Sequence, residues 1–308
     1  MKTFINVFHL TPRTLGPLNP SGGCVMQGKT VLITGADGGI GRETTRGIAK
    51  NGATIIMACI DLNLARPVCE AIKQESGNPN LELMQIDLAS LASIREFAQQ
   101  FSRKYRQLDV LINNAGVYCQ TRQETRDGFE KTIGINLLGH FLLINSLLPV
   151  IKQTPESRII NLSSNAHYQS KFDVSDINWQ KRKYSGFPAY ADSKLAIVLS
   201  TQELAERLKD AGVTANAVHP GHTATAIWNI WPGKWYQAVL DKIINRFMIT
   251  PEEGAQASIF LASSNELKGV TGKYFSQKQL KDPSPRCKDV RLQKDLWKLC
   301  EKLTGLAQ

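Results

Sequence analysis

Tyr190 and Lys194 stand four residues apart in Tyr190-Ala191-Asp192-Ser193-Lys194, ahead of the apolar run Leu195-Ala196-Ile197-Val198-Leu199. On a helix this spacing puts both side chains on one face, so the ammonium can lie near the phenol. A free tyrosine titrates near about pH 10, and bringing it to about 7 takes roughly 4 kcal/mol of preferential stabilisation of the phenolate. A neighbouring ammonium is one source of that stabilisation. Such a phenol would exchange a proton with a substrate oxygen. The spacing alone is common, so its meaning depends on what the fold brings beside it.

From Lys29 the chain alternates short β-branched runs with longer amphipathic segments, the pattern of repeated βαβ units. Strands are expected over residues 30–34, 54–58, 81–86, 110–113, 158–162, 214–218 and 272–275, with the longest helices over 128–152 and 189–211. This predicts an α/β fold of the Rossmann, doubly wound type: a seven-stranded parallel sheet with helices on both faces. A polar insert, 169–187, separates the two longest helices. No linker-like tract or internal repeat interrupts the alternation, so residues 28–308 read as a single domain behind a flexible extension, 1–27.

Lys and Arg number 37 against 27 Asp and Glu, a formal charge of +10 over 308 residues. There is no basic run of the kind nucleic-acid patches need, and Lys181-Arg182-Lys183 reads as a solvated loop. Six cysteines (Cys24, Cys59, Cys69, Cys119, Cys287, Cys300) show no C-x-x-C pair and no metal-ligand spacing with the five histidines. Free thiols in a reducing, intracellular compartment are expected, and no metal. No stretch reads as the roughly 20 apolar residues that span a bilayer. Trp228 to Tyr236, with Val239-Leu240 and Ile243-Ile244, is dense in aromatic and apolar residues. It suits a lid over an apolar substrate, an ordinary packed helix or, with Lys234 and Lys242, shallow contact with a membrane surface.

Thr34-Gly35-Ala36-Asp37-Gly38-Gly39-Ile40-Gly41 follows the first strand and opens a helix. Glycines there allow a tight turn, and a helix N-terminus offers N–H groups to a pyrophosphate. The spacing T-G-x-x-x-G-x-G resembles the short-chain dehydrogenase/reductase family, and further matches follow in that family's order. Asp87, with Leu88, resembles the residue at the adenine end of the cofactor. Asn113-Asn114-Ala115-Gly116 resembles the N-N-A-G segment that lines the cofactor and braces the sheet. Pro220-Gly221 with Thr225 resembles the element on the nicotinamide side. The resemblance implies a dinucleotide held by Gly35, Asp37, Gly39, Ile40, Gly41, Asp61, Asp87, Leu88, Asn113, Ala115, Gly116, Tyr190, Lys194, Pro220, Gly221 and Thr225. All lie at C-terminal strand ends or the helix behind them, where open α/β sheets place ligands. Family grounds favour NADP, but Ile60 stands where relatives often carry a base for the 2′-phosphate. Asp61 could accept from an unphosphorylated ribose or cap the next helix, which leaves NAD open.

The same resemblance gives Tyr190 and Lys194 two companions, Ser164, 26 residues upstream of Tyr190, and Asn136. It implies that Ser164 holds the substrate oxygen, Tyr190 moves the proton, Lys194 lowers the pKa of Tyr190 and holds the nicotinamide ribose, and Asn136 holds a water on a proton path. Within the family the chain is similar to the retinol dehydrogenase-like group and its X-linked dehydrogenase/reductase relative, over about residues 28 to 306. Carrying residues include Thr125 to Glu130, Asn136 to Leu142, Ser163 to His167, His219-Pro220-Gly221 and Glu301 to Gly305. The implied reaction is hydride transfer between nicotinamide and an apolar retinoid, isoprenoid or lipid-derived alcohol/carbonyl couple. A steroid or small-carbonyl reductase is the alternative, and a silent nucleotide-binding scaffold the rival from another class. A homodimer through the two longest helices is implied as well. His140, His167 and His222 read as structural or rim residues rather than ligands.

Overall fold

The computed structural model describes residues 26–221 and 249–306. Strand β1, Thr30–Thr34, is the run T-V-L-I-T, buried along nearly its whole length. Runs of this kind form strands covered on both faces. β2 (Thr54–Cys59), β3 (Leu81–Gln85), β4 (Val110–Asn113), β5 (Arg158–Leu162), β6 (Thr214–His219) and β7 (Tyr274–Ser276) follow, in the spatial order β3-β2-β1-β4-β5-β6-β7. These seven strands run parallel, as expected. The reversal of strand order beside β1 opens the cleft between β1 and β4 that binds ligands in doubly wound sheets.

An eighth strand, β8 (Gln279–Lys281), corrects the expected count: it pairs antiparallel with β7 at the edge. Its three residues are all exposed. The turn before it carries Gln277 at φ +56°, without the Asn-Gly or Asp-Gly pair that announces a hairpin.

Helices α1 (Gly39–Ala49), α2 (Leu62–Ser76) and α3 (Leu91–Lys104) connect the first strands, and α4 spans Lys131–Gln153. Then come α5 (Gly186–Arg207), α6 (Pro251–Ser263) and α7 (Val290–Leu303). Alternation along β1 sends Leu32 to the layer of α3, α4, α5 and α7, and Val31 and Ile33 to that of α1, α2 and α6. The fold is therefore wound on both faces.

Contrary to the sequence expectation, α4 is long and apolar enough to cross a membrane. However, 72% of its apolar window is buried within the protein, so core packing accounts for that apolarity. Helix α7 lies on α4 and α5: Trp297 meets Phe141 edge-on at 4.7 Å, and Leu296 and Cys300 are fully buried. Arg207 of α5 covers the other side of the indole, 4.5 Å from guanidinium carbon to ring centroid. The expectations for the extension up to residue 25, for His222, for Thr225 and for the aromatic stretch 228–244 lie outside the described residues.

Candidate active site

The cleft begins where β1 runs out. Gly35 and Gly39 hold φ of +61° and +48°, a region that favours glycine. A Cβ on Gly41 would lie 2.0 Å from the carbonyl oxygen of Gly35, so only glycine lets α1 start this close to the strand. Gly38 at the N-cap offers no side-chain bond to the first turn. The Asn114 side chain pins the turn from the β4 side, donating to the carbonyls of Thr34 (2.8 Å) and Gly35 (3.2 Å).

Farther along the edge, Asp87 accepts from the Ala89 N–H at 2.9 Å and pairs with Arg126 at 3.4 Å. Asp87, Arg126 and Ile60 line one groove. Ile60 is 62% exposed. Asp61 caps α2: its Oδ1 accepts from the N–H groups of Asn63 and Leu64, and the cap does not use Oδ2. Asn113 points inward and donates to Asn161 at 2.7 Å, and Asn161 donates to Thr201 on α5. It braces the sheet.

Tyr190 and Lys194 sit together on α5 and are buried. The Lys194 ammonium is 5.4 Å from the Tyr190 ring centroid and donates to the Leu162 carbonyl at 3.0 Å. The Tyr190 phenol shares a side-chain hydrogen bond with Ser164, which follows β5. Ser163 turns away and donates to the Lys194 carbonyl at 2.8 Å. Of the two serines, Ser164 is the one at the phenol.

Burial decides the titration of this pair. It pushes the Tyr190 phenol up to about 12, against a lowering by the Ser164 hydrogen bond, and brings Lys194 down to about 8. The expected acidified phenol is therefore not produced by the chain's own groups, because the cost of a buried phenolate outweighs its hydrogen bond.

Asn136 reaches the cleft from a π turn in α4, Gly134–Gly139. Its Oδ1 accepts from the Val117 N–H at 2.8 Å, and its Nδ2 donates to the Val117 carbonyl and to Ser193 Oγ. One amide proton braces the loop after β4 and the other ties the turn to α5. Asn136 Oδ1 and Lys194 Nζ converge on Gly116, at 3.4 and 3.6 Å from where a Cβ would stand. Beyond β6, Pro220 is buried and Gly221 takes φ +110°.

Sequence reasoning missed several neighbours. The Tyr118 ring lies 5.8 Å from that of Tyr190, and with Phe187 it packs on Ala166 and Ala191 as an apolar wall. Phe187, three residues before Tyr190 on the same helix, was findable by i, i+3 spacing. The basic triplet is not simply solvated. Arg182 lies over the Trp179 ring at 3.8 Å and bonds Asp176 and Asp192.

His167 donates through Nδ1 to the Ser164 carbonyl at 2.7 Å while its Nε2 accepts from the Ser284 N–H, a structural role as expected. Among the described residues no cluster of three or more His, Cys, Asp or Glu could hold a metal, and five cysteines are free and buried.

The sequence pattern described as short chain dehydrogenase matches residues 29–232. The chain is 44% identical over 282 residues to human (Homo sapiens) retinol dehydrogenase 13, covering 91% of this chain and 85% of that one. Mouse (Mus musculus) retinol dehydrogenase 12 is 37% identical over 310 residues, covering 99% and 97%. Among solved structures, an uncharacterised protein from Mycobacterium Paratuberculosis superposes with a TM-score of 0.73 at 33% identity, covering 91% of this chain and 94% of that one. With its glycine turn, strand-end residues and tyrosine–lysine helix assembled on one edge of a parallel sheet, the chain belongs to the short-chain dehydrogenase family and is an NAD(P)-dependent oxidoreductase of alcohol and carbonyl groups.

Proposed function

We propose that this enzyme interconverts an apolar alcohol and its carbonyl, a retinoid first among them, with Tyr190 as the proton-transfer residue. The observation that carries the reading is the Ser164–Tyr190 hydrogen bond with Lys194 on the same helix face, next to the glycine turn. The retinol dehydrogenase names of the relatives and the Tyr118–Phe187 wall support the substrate class.

The glycine turn fits a dinucleotide: the space a Gly41 side chain would need is filled by the turn itself, which brings the α1 N-terminus to the strand end. Gly35, Asp37, Gly39, Ile40, Gly41, Asp87, Leu88, Ala115, Gly116, Lys194, Pro220 and Gly221 would hold it. When bound, the cofactor supplies or accepts the hydride. The chain's own residues handle the oxygen. In reduction Tyr190 donates its proton to the substrate oxygen while Ser164 donates a hydrogen bond to the same atom as charge builds on it. Lys194 then stabilises the phenolate left behind; only one of its three N–H donors is spent on Leu162. Oxidation reverses these steps. We place NADP ahead of NAD, since Arg126 supplies a cation in the groove beside Ile60.

Homodimerisation belongs to this proposal only through a face other than the α4–α5 surface that α7 covers. Peripheral membrane contact through residues 228–244 is a further part of it. The test follows the absorbance of reduced nicotinamide with each cofactor against retinoid, isoprenoid, steroid and small-aldehyde panels. Turnover is expected on the apolar panels. A preference for small aldehydes or steroids overturns the substrate class, and cofactor binding without turnover on any panel identifies a silent scaffold.

A further inference from the structure

Helix α4 changes register inside the site. In an unbroken α-helix the His140 N–H would bond the carbonyl of Asn136, but here it returns to Leu137. The His140 ring takes over: Nδ1 lies 3.2 Å from the Asn136 carbonyl oxygen. Its other nitrogen, Nε2, lies 3.0 Å from Thr34 Oγ1 at the end of β1. Counting protons assigns the tautomer. Thr34 Oγ1 already accepts from the N–H groups of Asn114 and Ala115, each at 3.0 Å. A hydroxyl has two acceptor positions and one proton, so that proton goes to Nε2. The ring's own proton then sits on Nδ1 and is donated to Asn136.

We infer that His140 is a positioning residue, whose Nδ1–H tautomer ties the π turn carrying Asn136 to the Thr34–Ala115 edge of the cofactor cleft. The inference rests on the proposed function for what the site does, but not for the tie itself. The turn is pressed from the other side too: a Cβ on Gly139 would lie 2.6 Å from the carbonyl oxygen of Leu88. The ring therefore links the strand end beside the cofactor cleft to the turn whose Asn136 reaches Ser193 on α5. Burial, with the Lys194 charge facing the ring, keeps His140 neutral, down to about 4.

The helix itself contains the control. Asn145, one turn on, donates to the Phe141 carbonyl four residues back at 2.8 Å, so an asparagine at 140 can supply the bond to Asn136 but is too short to serve Thr34. In histidine-labelled full-length protein, long-range ¹⁵N NMR is expected to show a ring protonated at Nδ1 that does not titrate between about pH 5 and pH 8, assigned by its loss in His140→Asn. His140→Leu is expected to weaken NADP binding and lower kcat by about tenfold each, and His140→Asn to restore kcat while leaving binding weak. A proton on Nε2, or folded His140→Leu protein with both constants within about twofold of the parent, overturns the inference. If His140→Leu does not fold, the tautomer and the asparagine variant decide. Should the parent turn over no substrate, the tautomer and the binding constants still test the tie while the proposed function alone falls.

Discussion

The guanidinium of Arg182 bonds the carboxylate of Asp192 at 3.2 Å, two residues past Tyr190 on α5. It also bonds Asp176 at 3.0 Å and stacks on Trp179, and Ser170 donates to Asp192 at 2.7 Å. The insert between β5 and α5 is thus strapped to the helix that carries the tyrosine. Arg182→Ala leaves two buried carboxylates short of a donor and is expected to cost about 1–3 kcal/mol, read as a lower denaturant midpoint. Arg182→Lys should recover only part of it, because a point charge cannot span both carboxylates and lie flat on the indole. Equal midpoints for both variants and the parent would show that the strap carries no weight.

Tyr190→Phe removes the phenolic oxygen while keeping the ring against Tyr118. Turnover should drop by about 100-fold or more, while cofactor titration stays near that of the parent. Retained turnover would sink the proposed role of the phenol.

With the phenol held up to about 12 by burial, Tyr190 is protonated at neutral pH. That is the form needed to reduce a carbonyl. Oxidation needs the phenolate, so its kcat is expected to climb with pH above neutrality while that of reduction stays level. Initial rates in both directions across a pH series measure this, and matching profiles would contradict it.

His140 is neutral when folded, with its pKa brought down to about 4 from 6.5 by burial. The unfolded chain therefore binds more protons between those values. The contribution is fully present above about pH 6.5 and is lost as pH falls toward 4, about 3 kcal/mol in all. Melting temperatures from pH 7 to about pH 4 should fall less steeply in His140→Asn than in the parent.

Gly41→Ala would drive a methyl against the Gly35 backbone, whereas nothing lies within 4 Å of a Cβ on Gly38. The first should abolish cofactor binding and cost about 1–3 kcal/mol. The second should leave stability unchanged; thermal melts on both variants, with isothermal titration of cofactor into the first, would record this.

Trp297→Ala empties the space between Phe141 and Arg207 and removes the indole donor to Glu301 at 2.6 Å. A loss of about 3–5 kcal/mol is expected. Chemical denaturation checks it.

The strands, the glycine turn and the tyrosine–lysine face were legible before any coordinates, because each depends on backbone period or on residues within a few positions of one another. Strand ends could be read, and in a doubly wound sheet strand ends are where ligands go. Partner choice was not legible. Thr34 and His140 lie 106 residues apart, and Tyr168 and Asp282 lie 114 apart. Whether Asp61 caps a helix, Arg182 enters an ion network or α7 covers α4 depends on which distant groups compete for the same atom. The titration of Tyr190 had to wait for the same reason: its neighbours follow from helix spacing, but the water removed around it is set only once the layers close.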